Sequence, residues 1–316
     1  MKQRVNIFLE MKIRNANLTI CKKCLQESLP IDMMIRFAKL AIPNYNIYSR
    51  TGLEEGMPIS KQYAAQRIVT DMIQDGYYID FVEAMVQIDA NGYMGKRYSF
   101  KGLKDVVEGL IDEGYSFDKV SGQFMENQRE RISSNWGRLR EGDERKMTLL
   151  RFDIADNSTL VKNNPRSKID QAYNDLRNIV IRAVTTRLGR LWSWEGDGVL
   201  AAFLFGPKEK MVVYAGMEIL HEIFFYNRLR NPLGSPINIR LGAHIGQVWY
   251  SNNEADRLRN ETVKEASILE GLAGNNALCV SYNLYITMDQ YILNLFSGEK
   301  TRGGRKFRLY KAGIEK

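Results

Sequence analysis

The chain has 316 residues, of which 44% are hydrophobic and 26% are charged, a composition typical of a globular protein with a substantial core. No apolar run approaches the roughly 18 residues of a membrane-spanning helix, and the first residues lack the features of a signal peptide, so we expect a cytoplasmic protein with no membrane partner. The net charge of +8 suits a polyanionic partner but does not distinguish a nucleic acid from a nucleotide.

The three cysteines offer little chemistry. Cys21 and Cys24 form a C-x-x-C pair, but a structural zinc site needs four ligands, and Cys279 and the two histidines lie far away in sequence. We interpret the pair as reduced surface thiols, and the sequence assigns it no role.

Helical patterns dominate the first part of the chain. Amphipathic repeats, each ended by glycine or proline, predict helices over residues 31–42, 60–76, 78–92 and 99–114. Residues 1–120 are therefore predicted to form a helical regulatory or partner-binding domain. Nothing in that domain indicates what it senses.

A linking segment is predicted over residues 121–145. Phe124, Ile132, Trp136 and Leu139 recur at helical spacing, and the polar stretch "REGDERK" follows them. This helix is placed either to pair with its copy in a dimer and transmit a signal, or to pack in the core of the helical domain.

The pattern changes over residues 146–316. In chain order we predict a strand, a long helix, a strand-turn-strand hairpin, a second long helix, a strand, a short helix and two more strands. This order predicts an α+β fold, a ferredoxin-like or palm-type α/β sandwich with helices over one face of a mainly antiparallel sheet.

Two carboxylates stand where predicted strands end. Asp153 closes the strand "MTLLRFDIA", and Asp197 lies in the turn "EGDG" between two apolar strands. Strands joined through a long helix lie side by side in such a sheet, so we expect both carboxylates at one edge. Two aspartates that close repel each other unless a cation neutralises them, and Mg²⁺ prefers a few carboxylates plus phosphate oxygens. The alternative is that Asp197 is only a turn residue, since Asp-Gly is a common hairpin signal.

Four motifs carry a family resemblance. In order they are "RFDIADNST", "EGDGVLAAF", "RLGAHIG" and "TVKEASILEGLAGNNALCVS". Together they resemble the catalytic domains of class III nucleotidyl cyclases, the adenylate and guanylate cyclases, over about residues 147–312. The resemblance implies that a nucleoside triphosphate is converted to a 3′,5′-cyclic monophosphate and pyrophosphate, with two Mg²⁺ or Mn²⁺ ions, in a homodimer whose sites form at the interface.

The resemblance also implies roles for individual residues. Asp153 and Asp197 become the metal-binding pair, with the Ile154 carbonyl as an additional ligand. The turn amides around Asn157, Ser158 and Thr159 would bind the β- and γ-phosphates. Lys300 or Arg302 in the last hairpin is placed for phosphate binding, or else belongs to a solvated basic loop.

The sequence departs from the family at the residues that read the base and support the reaction. The base-reading lysine of adenylate cyclases is replaced by Ser193, and Glu195 is either a base-contacting group or a polar turn residue. The ribose asparagine and the transition-state arginine are replaced by Lys264 and Ile268. Lys264, or the nearby Arg257 or Arg259, could supply the missing positive charge, with Lys264 in a catalytic role and Arg257 at the base.

Three interpretations follow. The chain is an active cyclase with an atypical base, or a catalytically silent homologue that binds nucleotide and metal as a sensor or partner subunit. The third is a DNA-binding regulator, in which "ANGYMGKRYSFK" would be the wing of a winged helix. The predicted helices are not richly basic on one face, which disfavours a nucleic-acid partner.

Overall fold

The computed structural model describes residues 13–130 and 132–312, and the chain divides into two compact units, Met1–Glu130 and Arg131–Lys316. The described part of the first unit forms α1 (Asn15–Ser28), α2 (Ile31–Ala41), α3 (Ile47–Thr51), α4 (Lys61–Gln74), α5 (Tyr78–Asn91), α6 (Leu103–Asp112), β1 (Tyr115–Asp118) and β2 (Gln123–Glu126). The four helices expected from the sequence are present as α2, α4, α5 and α6.

The helices of the first unit bury their apolar stripes against one another in a single core. Cys21 and Cys24 lie inside this core, because their i, i+3 spacing puts both on the buried face of α1. The interpretation as surface thiols was therefore wrong. Burial raises the pKa of both thiols to about 12, which keeps them protonated and unreactive at neutral pH.

Two sequence interpretations of this part of the chain were wrong. The segment "ANGYMGKRYSFK", which the DNA-binding alternative made a wing, forms only a tight turn with a single bridge between Tyr93 and Lys96. The predicted linking helix over residues 124–139 is absent from the described residues. Phe124 instead lies in β2, paired with Phe117 of β1, so its hydrophobicity serves the core of the first unit.

Trp136, which belongs to the second unit, shows why the rest of this segment does not form the predicted helix. Its backbone is left-handed, with φ +56°, so it cannot continue a right-handed helix. The indole is fully buried, its N–H donates to the Leu188 carbonyl at 2.7 Å, and its ring meets the ring of Trp192 edge to face. The spacing of the apolar residues in this segment therefore arises from a turn that buries the Trp136 indole, and not from a helix.

The described part of the second unit forms β3 (Glu144–Ile154), α7 (Asn157–Lys162), α8 (Arg166–Thr185), β4 (Arg190–Glu195), β5 (Gly198–Phe203), α9 (Lys208–Leu229), β6 (Ile239–Trp249), α10 (Glu254–Leu258), α11 (Glu261–Ala273), β7 (Ala277–Ser281), α12 (Tyr282–Tyr285), α13 (Gln290–Leu293), β8 (Lys300–Arg302) and β9 (Arg305–Lys311).

The seven strands from β3 onward form one sheet in the order β4-β5-β3-β6-β7-β9-β8. The strands from β3 to β6, with α8 and α9 as crossovers, follow the β-α-β-β-α-β order of ferredoxin-like folds, and their pairings are antiparallel. The predicted α+β fold is confirmed. The pairing of β6 with β7 is parallel, so the sheet is mixed.

Helices cover both faces of this sheet, which corrects the expectation of one covered face. Leu241, Ala243 and Ile245 pack with α8 and α9 in the main core. The alternate residues Gly242 and Gly246 face α11 on the other side. A Cβ on Gly242 would lie 2.2 Å from the Glu270 amide nitrogen, so glycine allows α11 to approach β6 closely.

Candidate functional site

Asp197 lies in a two-residue turn at the tip of the β4–β5 hairpin. Glu195 pairs with Gly198, which leaves Gly196 and Asp197 as the central residues. Gly196 has φ +58°, the value that the first central residue of a type II′ turn requires and that glycine adopts without strain. The turn therefore presents the Asp197 carboxylate at the end of two buried strands.

Asp153 occupies the neighbouring strand at the same end of the sheet. Phe152 pairs with Val199, so the next residue, Asp153, lies opposite Gly198. Asp197 precedes Gly198 and is therefore displaced from Asp153 by one residue along the strands. The Asp153 side chain is 21% exposed and sits on the α11 face of the sheet. The structure thus brings both predicted carboxylates to one edge, at the ends of adjacent strands.

The Ile154 carbonyl points toward the same place. Ile154 pairs with Ile239, but both backbone groups of Ile239 are bonded to Asn276. In an antiparallel pair of this kind the backbone groups of the two residues point away from each other, so those of Ile154 are directed toward β5. Continuing the register of β3 and β5 places Ile154 opposite Asp197.

An arginine is paired with Asp153. Arg240 stands directly opposite Asp153 in the β3–β6 register, and its Nη2 donates to Asp153 Oδ2. Its Nε lies 2.8 Å from Oε1 of Glu270 on α11. The hydrogen bond to Asp153 raises the pKa of Arg240, whereas burial raises the pKa of Glu270 against the opposing effect of the Arg240 charge.

These donors fit a hard divalent cation. Among the described residues no group of three or more His, Cys, Asp or Glu side chains is arranged to hold a metal. Mg²⁺ does not require one, because it commonly takes one or two carboxylates together with water and substrate phosphates. Asp153, Asp197 and the Ile154 carbonyl supply that oxygen set. Binding there would require Arg240 to give up part of its contact with Asp153.

The turn after β3 partly matches the expected phosphate-binding turn. Asp156 has a left-handed backbone, with φ +55°, and begins the short helix α7. The amides of Asn157 and Ser158 come first in that helix and have no intrahelical acceptor. The Thr159 amide differs, because it donates to the Asp156 carbonyl at 3.0 Å. Two of the three expected residues therefore offer amides.

Tyr173 on α8 connects this turn with Asp197. Its hydroxyl donates to Oδ1 of Asn157. Burial raises the pKa of Tyr173, the hydrogen bond to Asn157 lowers it, and the negative charge of Asp197 raises it again. Asp197, Tyr173 and the α7 turn are therefore neighbours, which the sequence analysis did not anticipate.

The structure gives the expected base-contacting residues different surroundings. Ser193 is buried at a bulge in β4, and its hydroxyl has no hydrogen-bond partner among the described residues. Arg257 is also buried; Nη1 donates to the Ser251 carbonyl at 2.7 Å and Nη2 to the Trp192 carbonyl at 3.0 Å. Arg257 thus ties a loop to β4, and this geometry does not support base contact. The side chain of Glu195 lies outside what the structure describes.

Lys264 and Ile268 lie on α11, where the family places its ribose and transition-state residues. Lys264 is half-exposed, and its ammonium pairs with Glu261 at 2.5 Å. Ile268, one helical turn further, is 40% exposed. Thr262 packs at Gly246 and Glu270 packs at Gly242, so Lys264 lies toward the end of α11 remote from Asp153. Within one chain Lys264 is not part of the carboxylate site.

Lys300 and Arg302 lie in the exposed edge strand β8, next to the type I′ turn at Gly303 and Gly304. Four strand spacings separate β8 from β3, or about 19 Å. With Leu272, Phe307 and Leu309 they line an open cleft. Within one chain they cannot contact a phosphate held at Asp153.

Sequence reasoning missed Arg240, Glu270 and Tyr173. Arg240 opens the motif "RLGAHIG", and pairing that motif with the strand of Asp153 would have indicated the contact. Glu270 and Tyr173 face the site only through helix packing on opposite faces of the sheet. Nothing in their local sequence distinguishes them from other polar residues of an amphipathic helix.

No protein-family model matches the chain, and no curated protein matches its sequence. The structure is similar to the guanylyl cyclase domain of the RhoGC fusion protein from the aquatic fungus Blastocladiella emersonii, with 16% identity over 54% of this chain and 97% of that chain and a TM-score of 0.45. It is also similar to the guanylate cyclase domain of RhGC from Catenaria anguillulae in complex with GTP, with 17% identity, 53% and 96% coverage and a TM-score of 0.43.

A third similar structure is an adenylate/guanylate cyclase/hydrolase from Silicibacter pomeroyi, with 19% identity, 55% and 100% coverage and a TM-score of 0.45. These are adenylate and guanylate cyclases, the family that the sequence motifs resemble. Separately, none of the helices in residues 13–130 and 132–312 is long and apolar enough to cross a membrane.

Proposed function

We propose that the second unit is a metal-dependent nucleotidyl cyclase, which converts a nucleoside triphosphate to a 3′,5′-cyclic monophosphate and pyrophosphate. The observation that carries the proposal is the convergence of Asp153, Asp197 and the Ile154 carbonyl at one sheet edge. Such a donor set, beside free amides in the first turn of α7, fits cations that are themselves bound to phosphate oxygens.

Each residue has a task in this reaction. Asp153 and Asp197 hold the cations and so fix the triphosphate at the sheet edge. The amides of Asn157 and Ser158 donate to phosphate oxygens, and Tyr173 holds the Asn157 side chain in place. Cations held by Asp153 and Asp197 would supply Lewis acidity to the reaction. The 3′-hydroxyl oxygen bonds to the α-phosphorus, the bond to pyrophosphate breaks, and the hydroxyl proton passes to solvent.

The working enzyme is proposed to be a homodimer. Within one chain, β3 with its carboxylate lies about 19 Å from β8 with Lys300 and Arg302. A single copy therefore cannot bring the carboxylates and these two basic residues to the same triphosphate. Lys264 also lies away from Asp153, on the half-exposed surface of α11. In a two-fold dimer the α11 face and the β8–β9 hairpin of one copy complete the carboxylate site of the other.

A second candidate function is nucleotide binding without turnover, as a sensor or partner subunit. Ile268 favours this candidate, because an apolar side chain stands where the family has its transition-state arginine, and that arginine contributes strongly to phosphoryl-transfer rates. In either case the helical first unit is proposed to regulate the second or to bind a partner.

Product analysis distinguishes the two functions. The protein is incubated with ATP, GTP, CTP or UTP in Mg²⁺ or Mn²⁺, and products are separated by chromatography and mass spectrometry. A cyclic monophosphate from one nucleotide establishes the cyclase and identifies its base. Metal-dependent binding of a nucleotide without any product would instead support the silent domain. Absence of both binding and product would contradict both candidates.

A further inference from the structure

Asp153 lies in a dense cluster of charges. Asp153, Asp156 and Glu270 all act on the guanidinium of Arg240, and Asp153 and Arg151 both influence Glu270. Asp153 and Glu270 are 21% and 13% exposed, so solvent screens their charges only in part. In this cluster Arg240 is the residue that bonds directly to Asp153.

The two contacts of Arg240 differ in quality. Nη2 makes a directed hydrogen bond to Asp153. Nε and Glu270 Oε1 lie 2.8 Å apart, yet both atoms are buried and neither makes an aligned hydrogen bond. The guanidinium is therefore aligned on Asp153, while Glu270 already stands beside it as a second, less well aligned partner. A small rotation of the guanidinium would align Nε with Glu270.

The backbone around these side chains is fixed. Asp153 and Arg240 are directly paired on the adjacent strands β3 and β6, and Glu270 is held against β6 by the close approach of α11 at Gly242. A change of partner by Arg240 therefore requires side-chain rotation alone.

We propose that Arg240 is a resident counter-ion that neutralises Asp153 when no divalent cation is bound, and that Glu270 receives its guanidinium when a cation takes Asp153. Both are positioning residues in this scheme. The inference rests on the proposed function in one respect, namely that Asp153 is a cation ligand. It adds a built-in competition that sets how tightly the empty protein binds a divalent cation.

The scheme has opposite consequences for the two positioning residues. Removing the Arg240 charge frees Asp153 and removes repulsion of the incoming cation, so Arg240→Gln should bind Mn²⁺ about tenfold more tightly. Removing the Glu270 charge leaves Arg240 without a second acceptor, so Glu270→Gln should bind Mn²⁺ several-fold more weakly. If Arg240 and Glu270 had purely structural roles, their replacement would not change the Mn²⁺ affinity in opposite directions.

The test measures Mn²⁺ binding to the full chain without nucleotide, by calorimetry and by the loss of the free Mn²⁺ electron paramagnetic resonance signal. Arg166→Gln is the matched control, because Arg166 forms an exposed ion pair with Asp170 on α8. The double variant Asp153→Asn/Arg240→Gln should lose the gain seen in Arg240→Gln. Arg240→Lys, which keeps the charge but cannot bridge two carboxylates, serves if Arg240→Gln does not fold, and it should bind at most as tightly as the wild type.

Equal Mn²⁺ affinity in Arg240→Gln and Arg166→Gln would overturn the inference, as would a gain that persists without Asp153. If Arg240→Gln does not fold, the inference fails when Glu270→Gln binds as tightly as the wild type or Arg240→Lys binds more tightly. These results are separate from turnover. A wild-type protein that makes cyclic nucleotide while Arg240→Gln shows no gain refutes only the counter-ion role. A gain without any cyclic product refutes only the proposed reaction.

Discussion

Two regions of the second unit's sheet carry opposite charges and are built differently. The acidic end comprises Asp153 and Asp197, where β3 and β5 meet, and the basic end comprises Lys300 and Arg302 on the edge strand β8. At the β3–β5 end, Asp153 and Asp197 terminate buried strands, and Asp153 is held by Arg240 from a neighbouring strand. At the β8 edge, Lys300 and Arg302 are exposed on a three-residue strand beside a glycine turn. The core of the second unit holds the acidic end in place, whereas the basic end lies on an exposed strand.

Under the proposed function, this difference would divide the nucleotide site between two copies of the chain. Cation ligands need a defined geometry, and the two carboxylates proposed for that role stand on strands fixed by packing on both faces of the sheet. A phosphate-binding lysine or arginine acts through charge and a long side chain, so an exposed hairpin can present it to another copy of the chain. The predictions below test each end of this comparison, from the largest expected effect to the smallest.

The acidic end should be indispensable for product formation. Asp197→Asn removes one of the two carboxylates proposed to bind cations while keeping the side-chain size and the turn. We expect cyclic nucleotide formation to fall about a hundredfold or more, because charge stabilisation at such centres has this magnitude. Rates are measured by product chromatography. Asp170→Asn, at an exposed helical position paired with Arg166, is the control, and equal rates in the two variants would refute the role of Asp197.

Arg257 should act as a structural tie between a loop and β4. Arg257→Met leaves the Ser251 and Trp192 carbonyls without their buried charged donor, and the free energy of unfolding should fall by about 3 kcal/mol. Denaturant unfolding measures the loss, with Arg259→Met as the exposed control. A changed preference among the four nucleotides at unchanged stability would instead show that Arg257 contacts the base.

The close approach of α11 to β6 should depend on Gly242. A methyl group there would meet the backbone of Ala266 and Glu270 at 2.2–2.3 Å, so Gly242→Ala should destabilise the protein by about 1–3 kcal/mol. Gly271→Ala on α11 has open space, and it should be neutral or stabilising by up to about 1 kcal/mol. Thermal unfolding of the pair checks this, and equal melting temperatures would contradict the packing described.

His244 should make a small contribution to stability that is lost in acid. Burial lowers its pKa below the ordinary value of 6.5, so the unfolded chain takes up a proton first as the pH falls below 6.5. The free energy of unfolding therefore decreases as the pH falls below 6.5 and increases again as the pH rises. His244→Gln should flatten the fall in melting temperature between pH 7.5 and pH 5.5. Ser281→Ala, which removes only the hydroxyl bonded to His244, should keep the fall, and the reverse pattern would contradict the effect of burial.

Much of the fold could be predicted from the sequence because its signals are local. The long amphipathic helices, the "EGDG" hairpin and the strand that ends at Asp153 all follow from periodicity and turn chemistry. The segment over residues 124–139 could not be predicted, because its aromatic residues belong to two different units and Trp136 adopts a left-handed backbone. Helical spacing of apolar residues cannot distinguish these cases.

The candidate site could be predicted only where its residues terminate strands. Asp153, Ile154 and Asp197 meet at one edge because the strand order brings their ends together. The pairing of Arg240 with Asp153 depends on the register of β3 and β6, and the place of Glu270 depends on how α11 packs. The register could have been inferred only by pairing the motif that contains Arg240 with the strand of Asp153, and the helix packing leaves no local trace in the sequence.

The most direct test of the divided site is complementation between two inactive variants. Asp197→Asn, which lacks the acidic end, is mixed with the double variant Lys300→Ala/Arg302→Ala, which lacks the basic end, and product formation is compared with each variant alone. Random exchange of subunits should restore about a quarter of the wild-type rate, because half of the dimers would contain one intact site out of two. A mixture no more active than its components, while size-exclusion chromatography shows exchanged dimers, would contradict a site shared between two copies.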